Sequence, residues 1–145
     1  MIICPHCSEA IAEPYQRNPQ TSFHSSNAVY QHFQHLCNKE VEEFHAVMLN
    51  VKSEIIADEV ISVGSLSATL VHPREAFKAA VRAPAHAVIF VHNHPSGHCQ
   101  PSDEDITLTR RLVQAGVLLG IKVNDHVIVA GGQYFSFADE GRLQI

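Results

Sequence analysis

Apolar positions along the chain follow two patterns, one typical of helices and the other of strands. Helical spacing predicts three helices, at residues 25–38, 73–83 and 102–120. Continuous or alternating apolar runs predict strands at 44–51, 55–63, 87–91, 121–123, 126–130 and 134–137. Gly131-Gly132 indicates a hairpin turn before the last strand. This order of elements predicts an α/β fold in which helices pack on a mixed sheet.

The helix boundaries carry their own sequence signals. Ser25 or Ser26 and Ser102 are suitable N-caps, Pro73 suits a first helical position, and Gly120 is a typical C-terminal stop. Residues 1–22 show no sustained period and contain three prolines, so we expect an N-terminal extension there, followed by one domain over 23–145.

Size and composition indicate a single ordinary globular domain. The chain has 145 residues, of which 46% are hydrophobic and 17% charged. A core of this size buries about two-thirds of the unfolded surface. The four cysteines are too scattered for a disulfide scaffold, and we expect them to be reduced.

Charge and hydropathy exclude several classes of function. The net charge is -5, and the basic residues are dispersed, so we expect no strong nucleic-acid binding by this chain alone. No apolar run approaches the roughly 18 residues of a membrane span. The N-terminus also lacks a basic region followed by an apolar stretch. We therefore expect a soluble, cytoplasmic protein with no membrane contact.

The strongest chemical signal is a pattern of histidine, serine and aspartate after the predicted strand 87–91. His92 and His94 are two residues apart, and Ser102 and Asp105 follow at the spacing HxHx7SxxD. Residues two apart in a strand share a face, so both imidazoles can point into one cleft, and Asp105 in the next helix can face them. Two histidines and one carboxylate leave a fourth position for water, as in catalytic zinc sites. With 11 histidines, about 0.8 chance HxH pairs are expected, but only about 0.002 copies of the whole motif.

Other readings of these residues stay open from the sequence. Ser102 and Asp105 also form a capping box, which would close a helix without any metal.

His98 and Cys99 lie in the same loop and are alternative ligands. Cys4-Pro5-His6-Cys7 resembles half of a second zinc site, which His6, His24 or Cys37 would have to complete; the alternative is a reduced N-terminal arm that binds no metal. Four further histidines have no partner at ligand spacing and are interpreted as packing or surface residues: His45, His72, His86 and His126. A nucleotide-deaminase reading requires HxE followed by PCxxC, and the sequence has neither.

The motif, with its embedded HNHPSG and PSDED, resembles the JAMM (MPN-plus) metallopeptidase motif and in particular the RadC family, over about residues 25–142. The resemblance implies an α/β/α sandwich related to cytidine deaminases, with His92, His94 and Asp105 as ligands of one catalytic Zn²⁺. It also implies a glutamate general base at the start of the first buried strand. We match that glutamate to Glu43, with Glu42 as the alternative, and Ser102 to the donor that stabilises the oxyanion.

The resemblance leads us to expect a zinc-dependent hydrolase that cleaves a peptide or isopeptide bond in a protein or peptide substrate. The alternative is a non-catalytic metal-binding accessory module, acting in DNA repair or recombination or belonging to a mobile element. Longer RadC relatives carry a helix-hairpin-helix region, and nothing like it is seen in this sequence.

Overall fold

A mixed five-stranded sheet organises the part of the chain that carries the site. The structure, a computed structural model, describes the backbone of residues 2–3 and 10–11, together with residues 21–64 and 71–144. The strands are β1 (Ile2–Ile3), β2 (Ala10–Ile11), β3 (Glu43–Leu49), β4 (Ile55–Val63), β5 (Ala87–Asn93), β6 (Lys122–Ala130) and β7 (Gln133–Ser136). The large sheet has the order β4-β3-β5-β6-β7, and β1 pairs separately with β2.

Three α-helices cover the sheet. They are α1 (Ser26–Phe33), which continues into a 3-10 turn at Gln34–Asn38, α2 (Pro73–Arg82) and α3 (Asp103–Leu119). Ser25 caps α1, and Gly120 ends α3 in the left-handed conformation, as the sequence predicts. None of the helices in these described ranges is long and apolar enough to cross a lipid bilayer.

Both faces of the sheet are buried, which produces the predicted α/β sandwich. Phe44, Phe90 and Leu108 belong to the core on the side of α2 and α3. Val47 and Ile89 belong to the second core, which packs against α1. All seven residues of β5 are buried, because this central strand is covered on both faces. Strands β5 and β6 are parallel and are joined by α3, so the start of α3 lies at the carboxyl end of β5.

The first and last strands of the large sheet in the predicted chain order, 44–51 and 134–137, are observed one or two residues away at Glu43–Leu49 and Gln133–Ser136, and two larger differences lie at the centre of the sheet. Strand β5 continues beyond Val91 through His92 and Asn93, since both residues stay in the ladder with β6. The two short strands predicted at 121–123 and 126–130 form one strand, β6. Asn124 is an extra residue where the register shifts between Val88 and Ile89, and such a bulge allows a strand to pass through residues of low strand propensity. The predicted extension, residues 1–22, falls almost wholly outside the described side chains.

Asp125 holds the end of the sheet together beside this bulge. Its Oδ1 accepts hydrogen bonds from the backbone N–H groups of His126 at 2.7 Å and Ala138 at 3.0 Å. Its Oδ2 accepts one from the Ser136 hydroxyl at 2.6 Å. Burial raises the pKa of Asp125 above its ordinary value, while these hydrogen bonds act in the opposite direction.

Replacing Asp125 by alanine should lower the free energy of unfolding by about 2–4 kcal/mol, because three donors lose their acceptor and two of them are backbone N–H groups. Asp125→Asn keeps an acceptor oxygen in place and should cost about 1 kcal/mol. Urea denaturation monitored by circular dichroism measures both values. Equal stability of the alanine variant and the original chain would contradict this role for Asp125.

Candidate metal centre

Three side chains predicted as metal ligands converge at the carboxyl end of β5. The Nε2 atoms of His92 and His94 lie 3.0 Å apart. Asp105 places Oδ2 3.1 Å from His94 Nε2 and Oδ1 3.4 Å from His92 Nε2. Among the described residues, this is the one group of three or more His, Cys, Asp or Glu side chains that is arranged to hold a metal ion.

The strand and helix that meet here place these atoms directly. His92 and His94 are two positions apart at the end of β5 and therefore point to the same side. Asp105 is in the first turn of α3 and closes a capping box with Ser102: Ser102 N–H donates to Asp105 Oδ2 at 2.9 Å, and Asp105 N–H donates to Ser102 Oγ at 3.1 Å. The capping and ligand readings of Asp105 are thus compatible, because the carboxylate has two oxygens.

The outer nitrogens of both imidazoles are already engaged. His94 Nδ1 donates to the backbone carbonyl of His98 at 2.8 Å, and His92 Nδ1 is hydrogen-bonded to His126 Nε2 at 2.7 Å. The inner Nε2 atoms are therefore directed at each other and at the Asp105 carboxylate. Lone pairs on two nitrogens and a carboxylate that lie this close together repel one another unless a positive charge lies between them. Two imidazole nitrogens and one carboxylate oxygen suit a divalent cation such as zinc.

The pKa shifts of His94 and Asp105 also indicate that positive charge is favoured at this position. Burial opposes protonation of His94, but its hydrogen bonds with Asp105 and with the His98 carbonyl, together with the negative charges of Asp105 and Glu42, outweigh burial and raise the His94 pKa. Burial would raise the pKa of Asp105, yet its hydrogen bonds with both histidines hold that pKa well below its ordinary value. His92 is enclosed, and burial lowers its pKa. The residues present therefore fit a cation site.

A polar cavity of about 450 Å³ opens onto this cluster. Its lining residues are Glu42, His94, Ser96, His98, Gln100, Pro101, Ser102, Glu104 and Asp105. Ser102 Oγ uses a lone pair to accept from Asp105 N–H, which leaves its hydroxyl hydrogen for a molecule in the cavity. A larger groove of about 800 Å³ lies between the end of α3 and the C-terminal residues, but it does not contact the cluster.

The structure places Glu42, and not Glu43, at this cavity. Phe44 stacks on His92, and Glu42, two residues before Phe44, shares its side of the chain. The charge of Glu42 favours the protonated forms of both His92 and His94, although burial still lowers the His92 pKa overall. Glu43 is absent from the cavity lining, and its carboxylate lies 3.9 Å from Lys39 Nζ. Of the two glutamates that the sequence left open as the general base, Glu42 is the one that lines this cavity.

Asn93 explains why the glutamates lie where they do. Its Oδ1 accepts from Glu43 N–H at 2.7 Å, and its Nδ2 donates to the Val41 carbonyl at 3.1 Å. One buried amide thus holds the backbone on both sides of Glu42. Sequence reasoning overlooked Asn93, although its position between the two histidines places it on the opposite face of β5.

The other predicted ligands are not drawn into the cluster. His98 is exposed and contributes its carbonyl, and Cys99 is half-buried; neither belongs to the group that can hold a metal. Cys37 is half-buried with a free thiol, and His24 is exposed. Cys4, His6 and Cys7 lie outside the described residues, so the second site stays a prediction.

His126 is the functional candidate that the sequence reading treated as a packing or surface histidine. It is fully buried, stacks on Phe137, and hydrogen-bonds to both His92 and Thr109. Burial lowers its pKa well below the ordinary value. The sequence carried no local signal for this role, because it depends on the parallel pairing of β5 with β6, which puts His126 opposite Phe90 and on the same face as His92.

Comparison with known proteins agrees with this geometry. A family model described as a RadC-like JAB domain matches residues 23–142. A UPF0758 protein of Symbiobacterium thermophilum is 55% identical over 103 residues, which are 71% of this chain and 44% of that protein. A UPF0758 protein of Methanosarcina mazei is 43% identical over 130 residues, covering 89% of this chain and 57% of that protein. The chain therefore spans about half the length of the curated relatives it matches.

The purified chain should bind one zinc ion per molecule at this cluster. The double substitution His92→Ala, His94→Ala should remove that ion, whereas His86→Ala, at an exposed histidine, should retain it. Elemental analysis of the dialysed proteins measures the stoichiometry. Two ions falling to one would reveal a second site at Cys4-His6-Cys7. Metal content that is unchanged by the double substitution would contradict the assignment.

Proposed function

Because the chain belongs to the family of RadC-like JAB domains, we propose that it is a zinc-dependent hydrolase that cleaves a peptide or isopeptide bond. The observation that carries the proposal is that the three-residue cation site meets, through His94 and Asp105, the open polar cavity that Glu42 and Ser102 also line. An amide bond placed there meets a cation site, a carboxylate and a hydroxyl together.

His92, His94 and Asp105 would hold the metal. When bound, Zn²⁺ polarises a carbonyl and lowers the pKa of a coordinated water to about 7. The outer nitrogens of the two histidines are bonded to His126 and to the His98 carbonyl, and Ser102 N–H donates to Asp105, so the converging Nε2 atoms and Asp105 Oδ1 would be left for the metal.

Glu42 would act as the general base and then as the general acid. Its half-buried carboxylate lines the cavity beside the two histidines, where it can accept a proton from the attacking water. The same proton must then reach the nitrogen of the scissile bond, because the tetrahedral intermediate releases that nitrogen as a neutral amine and not as an anion. A carboxylate at the wall of the cavity can make both transfers with little movement.

Ser102 would stabilise the charge that develops on the carbonyl oxygen. Its Oγ is fixed by the Asp105 N–H, and the hydroxyl hydrogen can donate into the cavity. A donor held in place before the reaction lowers the barrier more than one that must be reoriented. Loss of one such donor typically lowers kcat by about 100- to 1,000-fold.

The two neighbouring glutamates allow a matched test of the proposed base. Glu42→Gln should lower turnover by at least about 100-fold while zinc stays bound, because the amide cannot accept the proton. Glu43→Gln, adjacent in sequence but away from the cavity, should retain most of the turnover. Hydrolysis of quenched linear peptides and of ubiquitin joined through its C-terminus to a lysine ε-amine provides the readout.

The result can overturn the proposal in two ways. Turnover lost in Glu43→Gln and retained in Glu42→Gln would return the role of base to Glu43. A fully zinc-loaded chain that cleaves neither class of substrate would support the accessory metal-binding module instead.

A further inference from the structure

A buried chain of hydrogen bonds connects helix α3 to the candidate ligand His92. Thr109 Oγ1 lies 2.7 Å from the Asp105 carbonyl oxygen and 2.6 Å from His126 Nδ1. His126 Nε2 lies 2.7 Å from His92 Nδ1. Thr109, His126 and His92 are 2% exposed or less. The proposed catalytic steps do not use Thr109 or His126.

The direction of every bond in this chain follows from its first acceptor. A carbonyl oxygen can only accept, so the Thr109 hydroxyl must donate its single hydrogen to Asp105. The hydroxyl can then only accept from His126, which places the His126 proton on Nδ1. In a neutral ring the other nitrogen, Nε2, is left as an acceptor.

The surroundings of His126 favour that neutral ring. It stacks on Phe137 with ring centroids 5.0 Å apart, and the edge of Phe44 approaches it at 5.5 Å. Among the described residues, its side chain has hydrogen bonds to Thr109 and His92 and to no carboxylate. A ring buried among aromatic side chains without a counter-ion is most stable uncharged.

We propose that Thr109 and His126 are a positioning pair, which holds the proton of His92 on Nδ1 and so presents the lone pair of its Nε2 to the metal. The effect of this pair on metal affinity rests on the proposed function, whereas the positions of the protons are expected in the metal-free chain as well. The polarity originates at a backbone carbonyl of α3, the helix that also supplies the ligand Asp105.

Removing the Thr109 hydroxyl should reverse this order. In Thr109→Val, a substitution of nearly equal shape, His126 Nδ1–H would face a methyl group, and its proton is better placed on Nε2 toward His92. His92 must then accept at Nδ1 and carry its own proton on Nε2, where the metal should bind. We expect zinc affinity to fall about 10- to 100-fold, and Thr109→Ser, which restores the hydroxyl, to recover it.

Nitrogen-15 NMR of the histidine rings tests the proposal without metal. In the metal-free chain, His92 and His126 should both carry the proton on Nδ1, with His126 assigned through His126→Phe, which keeps the stack on Phe137. Thr109→Val should move both protons to Nε2, and Thr109→Ser should not. Competition with a chromogenic chelator gives the zinc affinities, and thermal unfolding confirms that each variant is folded.

The outcomes separate this inference from the proposed function. A His126 proton on Nε2 in the original chain would overturn the inference, as would a folded Thr109→Val variant with unchanged proton positions and unchanged zinc affinity. Proton positions as expected, in a chain that binds no zinc, would uphold the hydrogen-bond order and overturn the zinc-dependent hydrolase.

Discussion

The double hydrogen-bonding role of Asp105 is the constraint on which the site depends. The carboxylate closes the first turn of α3 with Ser102 and faces two imidazoles at the same time. Both roles favour the ionised form, since the helix N-terminus carries partial positive charge and a cation site supplies more. The turn that begins α3 therefore places Asp105, the third candidate ligand, against the end of β5.

The apolar surroundings of the site make its converging polar groups favour a shared cation. His92 is fully buried and stacks on Phe44, so each of its nitrogens needs a partner. The outer nitrogens of His92 and His94 have protein partners, and only the inner atoms, together with Asp105, converge on one another. In a medium of low dielectric constant such convergence is costly unless a cation is shared. The packing that stabilises the sheet thus also strengthens the preference for a metal.

Much of this arrangement could be predicted because it is local in sequence. The helix caps at Ser25 and Ser102 and the stop at Gly120 are decided within a few residues, and the structure confirms them. The HxHx7SxxD spacing spans one strand end and one helix start, which brings His92, His94 and Asp105 together. His126 escaped prediction because its role depends on the pairing of β5 with β6, which no local pattern reveals.

The choice between Glu42 and Glu43 shows where local reasoning ends. Adjacent residues of a strand point to opposite faces, so only one of the two glutamates can face the histidines. The alternation alone does not say which one. In the structure the amide of Asn93 holds the Val41 carbonyl and the Glu43 N–H, and so fixes the backbone around Glu42. Asn93 lies between the two histidine ligands on β5. This end of β5 therefore directs two histidines to the candidate metal site on one side. On the other side Asn93 fixes the backbone beside β3, and the carboxylate of Glu42 lines the cavity next to His94.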